Sequence, residues 1–299
     1  MVLRQNDRRA ALERAISSHT IGAFMVCFRT LGFLACFVLS ASSASATWSV
    51  IAVDRATGRV VISSATCVPQ QAFAGFPAKD LRDVQAIVVP GKGVAAAQAN
   101  VDSTRVNQKL IYAELQKGTA PDAILALLKE DPRLAGRQFG IVDLQGRMAG
   151  FSGTGNMPVS LDRQGQVPGT EIFYSIQGNI LKSEAVVTDA VTAFVAVKGD
   201  LSDRVMAAME AADSRGGDSR CSCDKGPKIN APCTAKTAHV SYILEALRTD
   251  TPGSLPNDGT YSMYISVADS DITPQEDANP VKTLRMRYEQ WKKQHGARR

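Results

Sequence analysis

The chain has 299 residues, 44% hydrophobic and 21% charged, with 34 Lys+Arg against 29 Asp+Glu. That balance excludes a disordered, collagenous or multi-span membrane protein. Five arginines but only two acids fall in residues 1–46, leaving 29 basic and 27 acidic residues beyond. So even a charge gives no reason to expect a nucleic-acid partner.

The first element is a leader. Residues 30–41, TLGFLACFVLSA, form an apolar run after Arg29, and Ala44 and Ala46 make an A-x-A site. The run is too short to span a bilayer. Residues 1–46 therefore read as a signal peptide cleaved after Ala46, with Met25 an alternative start because all three signal regions follow it. The expected location is secreted or periplasmic, with no stable membrane span after cleavage. Cys67, Cys221, Cys223 and Cys233 remain beyond the leader, an even number that favours disulfides in an oxidising compartment. Cys221 and Cys223 are one residue apart, an awkward geometry for bonding to each other, so each should find a different partner, with Cys67 one candidate. A metal knuckle of these cysteines with His239 lacks the usual Cys-x-x-Cys spacing. No metal or cofactor is expected.

Trp48, Val50 and Ala52 alternate with Ser49, Ile51 and Val53, which predicts a strand beginning at the new N-terminus. Residues 54–58, DRATG, supply turn chemistry, and 59–66 form the second hairpin strand. Short strands are expected at 86–90 and 93–100. Helices follow at 106–116 and 121–130, the second capped by Thr119 with Ile124, Leu127 and Leu128 on one face. Residues 137–143 and 147–151 make another hairpin, and 171–180 a strand. A helical pair covers 183–197 and 202–212. The Gly- and Cys-rich stretch 213–232 reads as a long loop. Residues 238–248 fit either a strand or a strand turning helical. A strand at 261–267 and an amphipathic helix at 281–293 precede a basic tail, 294–299. Helix pairs with antiparallel strands make the fold class α+β, as a layered αββα sandwich.

Only His239 and His295 lie beyond the leader, and no G-x-S-x-G, H-E-x-x-H, P-loop or G-x-G-x-x-G motif is present. A nucleophile is available without histidine. Cleavage after Ala46 would leave Thr47 first, its hydroxyl beside its own α-amine. An α-amine has a pKa near 8, so one residue can supply nucleophile and base.

The stretches TWSVIAVDRATGRV (47–60), RQFGIVDLQGRMAGFSG (137–153), YSIQGNIL (174–181), GGDSR (216–220) and NPVKTLRMRYEQW (279–291) resemble the domain-of-unknown-function family 1028. That family is described as secreted members of the Ntn (N-terminal nucleophile) hydrolase superfamily. The resemblance implies one domain over 47–293, a four-layer αββα sandwich of Ntn-hydrolase type, and the nucleophile on the first strand, where Thr47 stands. A departure is the passage after GGDSR, lengthened by CSCDKGPKINAPCTAK, so that 213–237 forms a Cys-containing insertion loop.

Candidate catalytic residues are Thr47, Asn179 as an amide donor to an oxyanion, and Ser64, which with Thr66 is placed to bond Thr47 or its amine. Gln98, Asn100, Gln177, Gly178, Asp218 and Arg220 are candidates for substrate binding. The second strand offers no Lys to support the base. The expected substrate is a small-molecule or peptide amide, and Ala-rich helix faces would allow a homo-oligomer. The alternative is a non-catalytic envelope binding or assembly module using loop 213–233 and the basic helix residues Arg285, Arg287, Lys292, Lys293, Arg298 and Arg299.

Overall fold

In the computed structural model, residues 47–75, 78–101 and 103–296 are described. The leader with its cleavage site, the alternative start, and residues 297–299 of the basic tail lie outside them. The alternation at the start of this range produces β1 (Thr47–Asp54), and the DRATG turn returns the chain as β2 (Arg59–Thr66), paired antiparallel along their full length. A short helix, α1 (Leu81–Gln85), capped by the Asp80 carboxylate, leads to β3 (Ala86–Val89) and β4 (Gly93–Ala99). Next come α2 (Val106–Lys117) and α3 (Pro121–Leu128). Thr119 does not cap α3: its hydroxyl goes to Glu114, and Ala120 is the cap residue, with Pro121 supplying the preset first turn. Leu127 turns to solvent while Ile124 and Leu128 are buried.

The chain continues as β5 (Arg137–Asp143), β6 (Met148–Ser152), β7 (Leu161–Gln166) and β8 (Ile172–Asn179). It then forms α4 (Ala185–Ala196), α5 (Leu201–Ser214), β9 (Val240–Ala246), β10 (Met263–Ala268) and α6 (Pro280–His295). The ambiguous stretch at 238–248 is resolved as a strand because β9 is bonded on both sides, to β2 and β10. All pairings are antiparallel. One sheet has the order β10-β9-β2-β1-β8-β7, the other β3-β4-β5-β6. The described fold is thus α+β, with two antiparallel sheets and six helices.

Three apolar clusters hold it together. Ile111, Leu115, Ile124 and Leu128 of α2 and α3 pack on Ile87, Ala95, Phe139 and Ile141 of the four-stranded sheet. The opposite face of that sheet contributes Val88, Val94 and Val142 to a cluster with Ile51, Val53, Val60 and Ile62. Trp48, Val50, Ala52 and Val61 join α4, α5 and α6 in the third. Strand alternation thus sends even residues of β1 toward helices and odd residues toward the other sheet. Among the described residues no helix is long and apolar enough to cross a membrane.

The basic side of α6 is largely paired. Lys292 reaches Asp203 at 2.6 Å, and Arg285 reaches Glu289 at 3.2 Å and Glu210 at 3.6 Å. Arg287 holds Glu276 through two bonds of 2.7 and 2.9 Å. That guanidinium pulls the Glu276 carboxyl down to about 2. A depressed carboxyl contributes stability above its unfolded pKa, near 4.3, and loses it as pH falls through the folded value. Arg287→Ala should therefore lower the urea midpoint at pH 7 and shrink the loss of stability between about pH 4.5 and 2. An acid limb as steep as that of the parent would remove this pair from the account.

Candidate functional site

The rows of side chains between the sheets change character along their length. In β1 the inward row runs Val53, Ile51, Ser49, Thr47; in β2 it runs Val60, Ile62, Ser64, Thr66. In β8 it passes from Phe173 to Ser175, Gln177 and Asn179. From the facing sheet, Val94 and Ala96 give way to Gln98, and Val142 and Gly140 to Gln138. All five rows become polar toward the same end, where Thr47 lies. Nearly every side chain there is buried: Thr47 is 3% exposed, Gln98 2%, and Ser49, Ser64, Gln138 and Gln177 0%. Burying so many amides and hydroxyls costs free energy unless they bond one another.

They do bond one another. Thr47 lies opposite Thr66 in one ladder and Asn179 in the other. Its hydroxyl donates to Thr66 Oγ1 at 3.3 Å, and the Val68 N–H donates to that same oxygen. Ser64 donates to the Trp48 carbonyl at 2.6 Å and lies 3.2 Å from Gln85 Oε1. Gln98 Nε2 donates to the Thr47 carbonyl at 2.9 Å, and Ser49 donates to Gln98 Oε1 at 2.6 Å. Gln138 Nε2 donates to the Gly178 carbonyl at 2.9 Å, and the Gln177 amide to Ala96 O at 3.4 Å. Asn100 lies past the end of β4, where its N–H donates to Gly136 O and its carbonyl accepts from Arg137.

A second group borders this end from the helix side. Asp218, with its side chain fully buried, accepts the Cys67 N–H at 3.0 Å and is clasped by Arg220 through contacts of 2.9 and 3.1 Å. Cys67 directly follows Thr66, so this ion pair is tied to the strand beside Thr47. Gly217 just before it has φ +43°, and a Cβ there would meet the Trp48 ring at 2.6 Å, so glycine lets the turn lie against the indole. Beneath the turn, Asp213 accepts from Thr237 and from Asn279 Nδ2, and its burial raises its carboxyl above the ordinary range. Disulfides Cys67–Cys221 and Cys223–Cys233 fasten the insertion loop, giving the adjacent cysteines separate partners. His239 stands apart from Thr47's bonds, with Nδ1 2.6 Å from Asp269, which Lys236 also holds.

The structure thus gathers Thr47, Ser64, Gln98, Gln177, Gly178 and Asn179 at one end of the inter-sheet layer and sets Asp218 and Arg220 beside it. The sequence reading missed Ser49 and Gln138. Their signal was available: each continues an alternating inward row whose earlier members are apolar.

Hydroxyl and amide groups of the kind gathered at this end are the types that bind a neutral polar group or an oxyanion. Thr47's nitrogen still forms the peptide bond to Ala46 in the full-length chain.

A model for a family of unknown function, DUF1028, matches residues 47–225. Among solved structures, the chain is similar to the crystal structure of protein SPO2555 from Silicibacter pomeroyi, which is described by the same family model. The two share 22% identity at a TM-score of 0.58, over 83% of this chain and 87% of that one. A search of curated proteins finds no match.

Proposed function

The chain belongs to the DUF1028 family of unknown function, and we propose that this member is an exported Ntn-type hydrolase cleaving an amide-type bond through Thr47. The observation that carries the reading is the convergence of five inward rows, from apolar to amide and hydroxyl, on a threonine that follows an A-x-A site. The family match also begins at that residue. In this reading the two sheets and their flanking helices are a four-layer αββα sandwich of Ntn type.

Cleavage after Ala46 converts an amide nitrogen, which is no base, into an α-amine. That amine takes the proton of the Thr47 hydroxyl as the oxygen attacks the substrate carbonyl carbon. The resulting oxyanion is met by the Asn179 side-chain amide. Collapse breaks the C–N bond, the proton passes to the departing amine, and an ester on Thr47 remains. Water, deprotonated by the same α-amine, then hydrolyses the ester and returns the hydroxyl. At the rim the half-buried Arg220, held in place by the buried Asp218, would contact substrate. The binding-module alternative is not favoured by α6, where Arg285, Arg287 and Lys292 are engaged with acids of the same chain.

The test is the protein recovered from its exported compartment, examined by N-terminal sequencing and then treated with a neutral β-lactone that acylates threonine. The expected result is a chain beginning at Thr47 that gains one acyl mass on that residue. A chain that begins elsewhere, or one that takes no label at Thr47, overturns the proposal.

A further inference from the structure

Gln98 faces Thr47 from the opposite sheet, which makes it look like pocket lining, but its bonding leaves little for a ligand. Both N–H groups of its amide are used, one on the Thr47 carbonyl at 2.9 Å and one on Gln138 Oε1 at 2.8 Å. Its Oε1 accepts from Ser49 at 2.6 Å. Gln138 in turn donates to the Gly178 carbonyl and to Ser152 Oγ, each at 2.9 Å. The two backbone carbonyls can only accept, so they fix which end of each amide is nitrogen. The result is a directed chain from Ser49 through Gln98 and Gln138 to Gly178.

We infer that Gln98 and Gln138 are positioning residues, which hold the start of β1 and the end of β8 in mutual register from the other sheet. The inference rests on Thr47 as the reacting group, because these strand ends carry Thr47 and Asn179. An apolar residue would continue the inward row begun by Val94 and Ala96 and would bury without an amide to satisfy. The amides instead set the gap between sheets at hydrogen-bond length. A displacement of about 1 Å at a reacting group can cost about 100-fold in rate. The chain holds no titratable group, so its loss should change a rate without changing a pH profile.

The test compares parent protein with Gln98→Met, an apolar replacement of similar length, and with Ser49→Ala, which removes one hydroxyl. Two readouts are used: the rate of β-lactone labelling at Thr47, and backbone hydrogen exchange by mass spectrometry. Gln98→Met should slow labelling at saturating reagent about 10- to 100-fold, leaving the half-saturating concentration and pH profile unchanged. Exchange should quicken in peptides covering 47–50 and 177–179. Ser49→Ala should move both readouts the same way by less, and it decides the matter if Gln98→Met does not fold. Unchanged exchange in both segments, or a shifted half-saturation at unchanged rate, overturns the inference; the latter would make Gln98 a ligand contact. If the parent protein takes no label, the Thr47 reading fails by itself, while the exchange comparison still decides the clamp.

Discussion

Thr47→Ala should reduce amide hydrolysis by about 10⁴- to 10⁶-fold, the range expected when the group that forms the covalent intermediate is lost. The fold should survive, since the hydroxyl makes one bond of 3.3 Å, to Thr66 Oγ1, and removing it leaves that oxygen with the Val68 N–H. Thr47→Ser keeps nucleophile and amine and should retain measurable turnover. The informative third variant blocks maturation, for example Ala46→Lys at the A-x-A site. It keeps Thr47 but holds its nitrogen as an amide, and its activity should fall as far as that of Thr47→Ala. The measurement is turnover on an amide library by mature protein and the three variants. Full activity in Thr47→Ala, with the protein's mass verified, would end the nucleophile assignment.

The second large effect concerns stability. Cys67 and Cys221 are 154 residues apart in sequence, and their cross-link closes most of the domain into one loop. On the chain-entropy account such a loop is worth about 5 kcal/mol, against about 3 kcal/mol for the 10-residue separation of Cys223 and Cys233. Replacing Cys67 and Cys221 by serine should thus cost about 3–5 kcal/mol, lowering Tm by roughly 10–20 °C. The Cys223 and Cys233 double replacement should cost about three-fifths of that shift. Calorimetry of the two variants checks this. Because Cys221 directly follows Arg220, losing its cross-link to Cys67 should also loosen the Asp218–Arg220 pair, although serine keeps the residue 67 N–H that Asp218 accepts. Equal Tm losses in the two variants would mean that loop length does not govern their stability.

Much of the fold was legible because its first hairpin is written in local terms. The alternation of 48–53, the DRATG turn and the β-branched run to Thr66 define β2 to the residue and β1 all but for Asp54, which reads as part of the turn but ends the strand. Strand β7 was not legible: LDRQGQ lies at a sheet edge, half exposed, and its Gly165 sits against the Tyr174 hydroxyl across the pair. Nothing local marks such a polar edge as a strand. The same holds for Thr119, whose hydroxyl is diverted to Glu114 five residues back. Residues 238–248 could be settled only by their partners on both sides, β10 and the sequence-distant β2.

The candidate site was legible in its strand-end residues and not in their bonds. Thr47, Asn179 and Gln98 stand out as polar groups ending strand patterns. That Gln98 is bonded to the Thr47 carbonyl, and Gln138 to Gly178, depends on two sheets meeting face to face. Alternation can mark Gln98 and Gln138 as inward-facing, but it does not say which groups of the other sheet they meet.

The register of β1 has one more bearing. Chain ends usually fray, and an end that must do chemistry has to be quieted each time it acts. Here residue 47 has Thr66 on one side and Asn179 on the other, so even as a terminus it would be an interior rung of a six-stranded sheet. Its conformational entropy is surrendered when the sheet assembles, so on the proposed mechanism little would remain to be lost at each turnover.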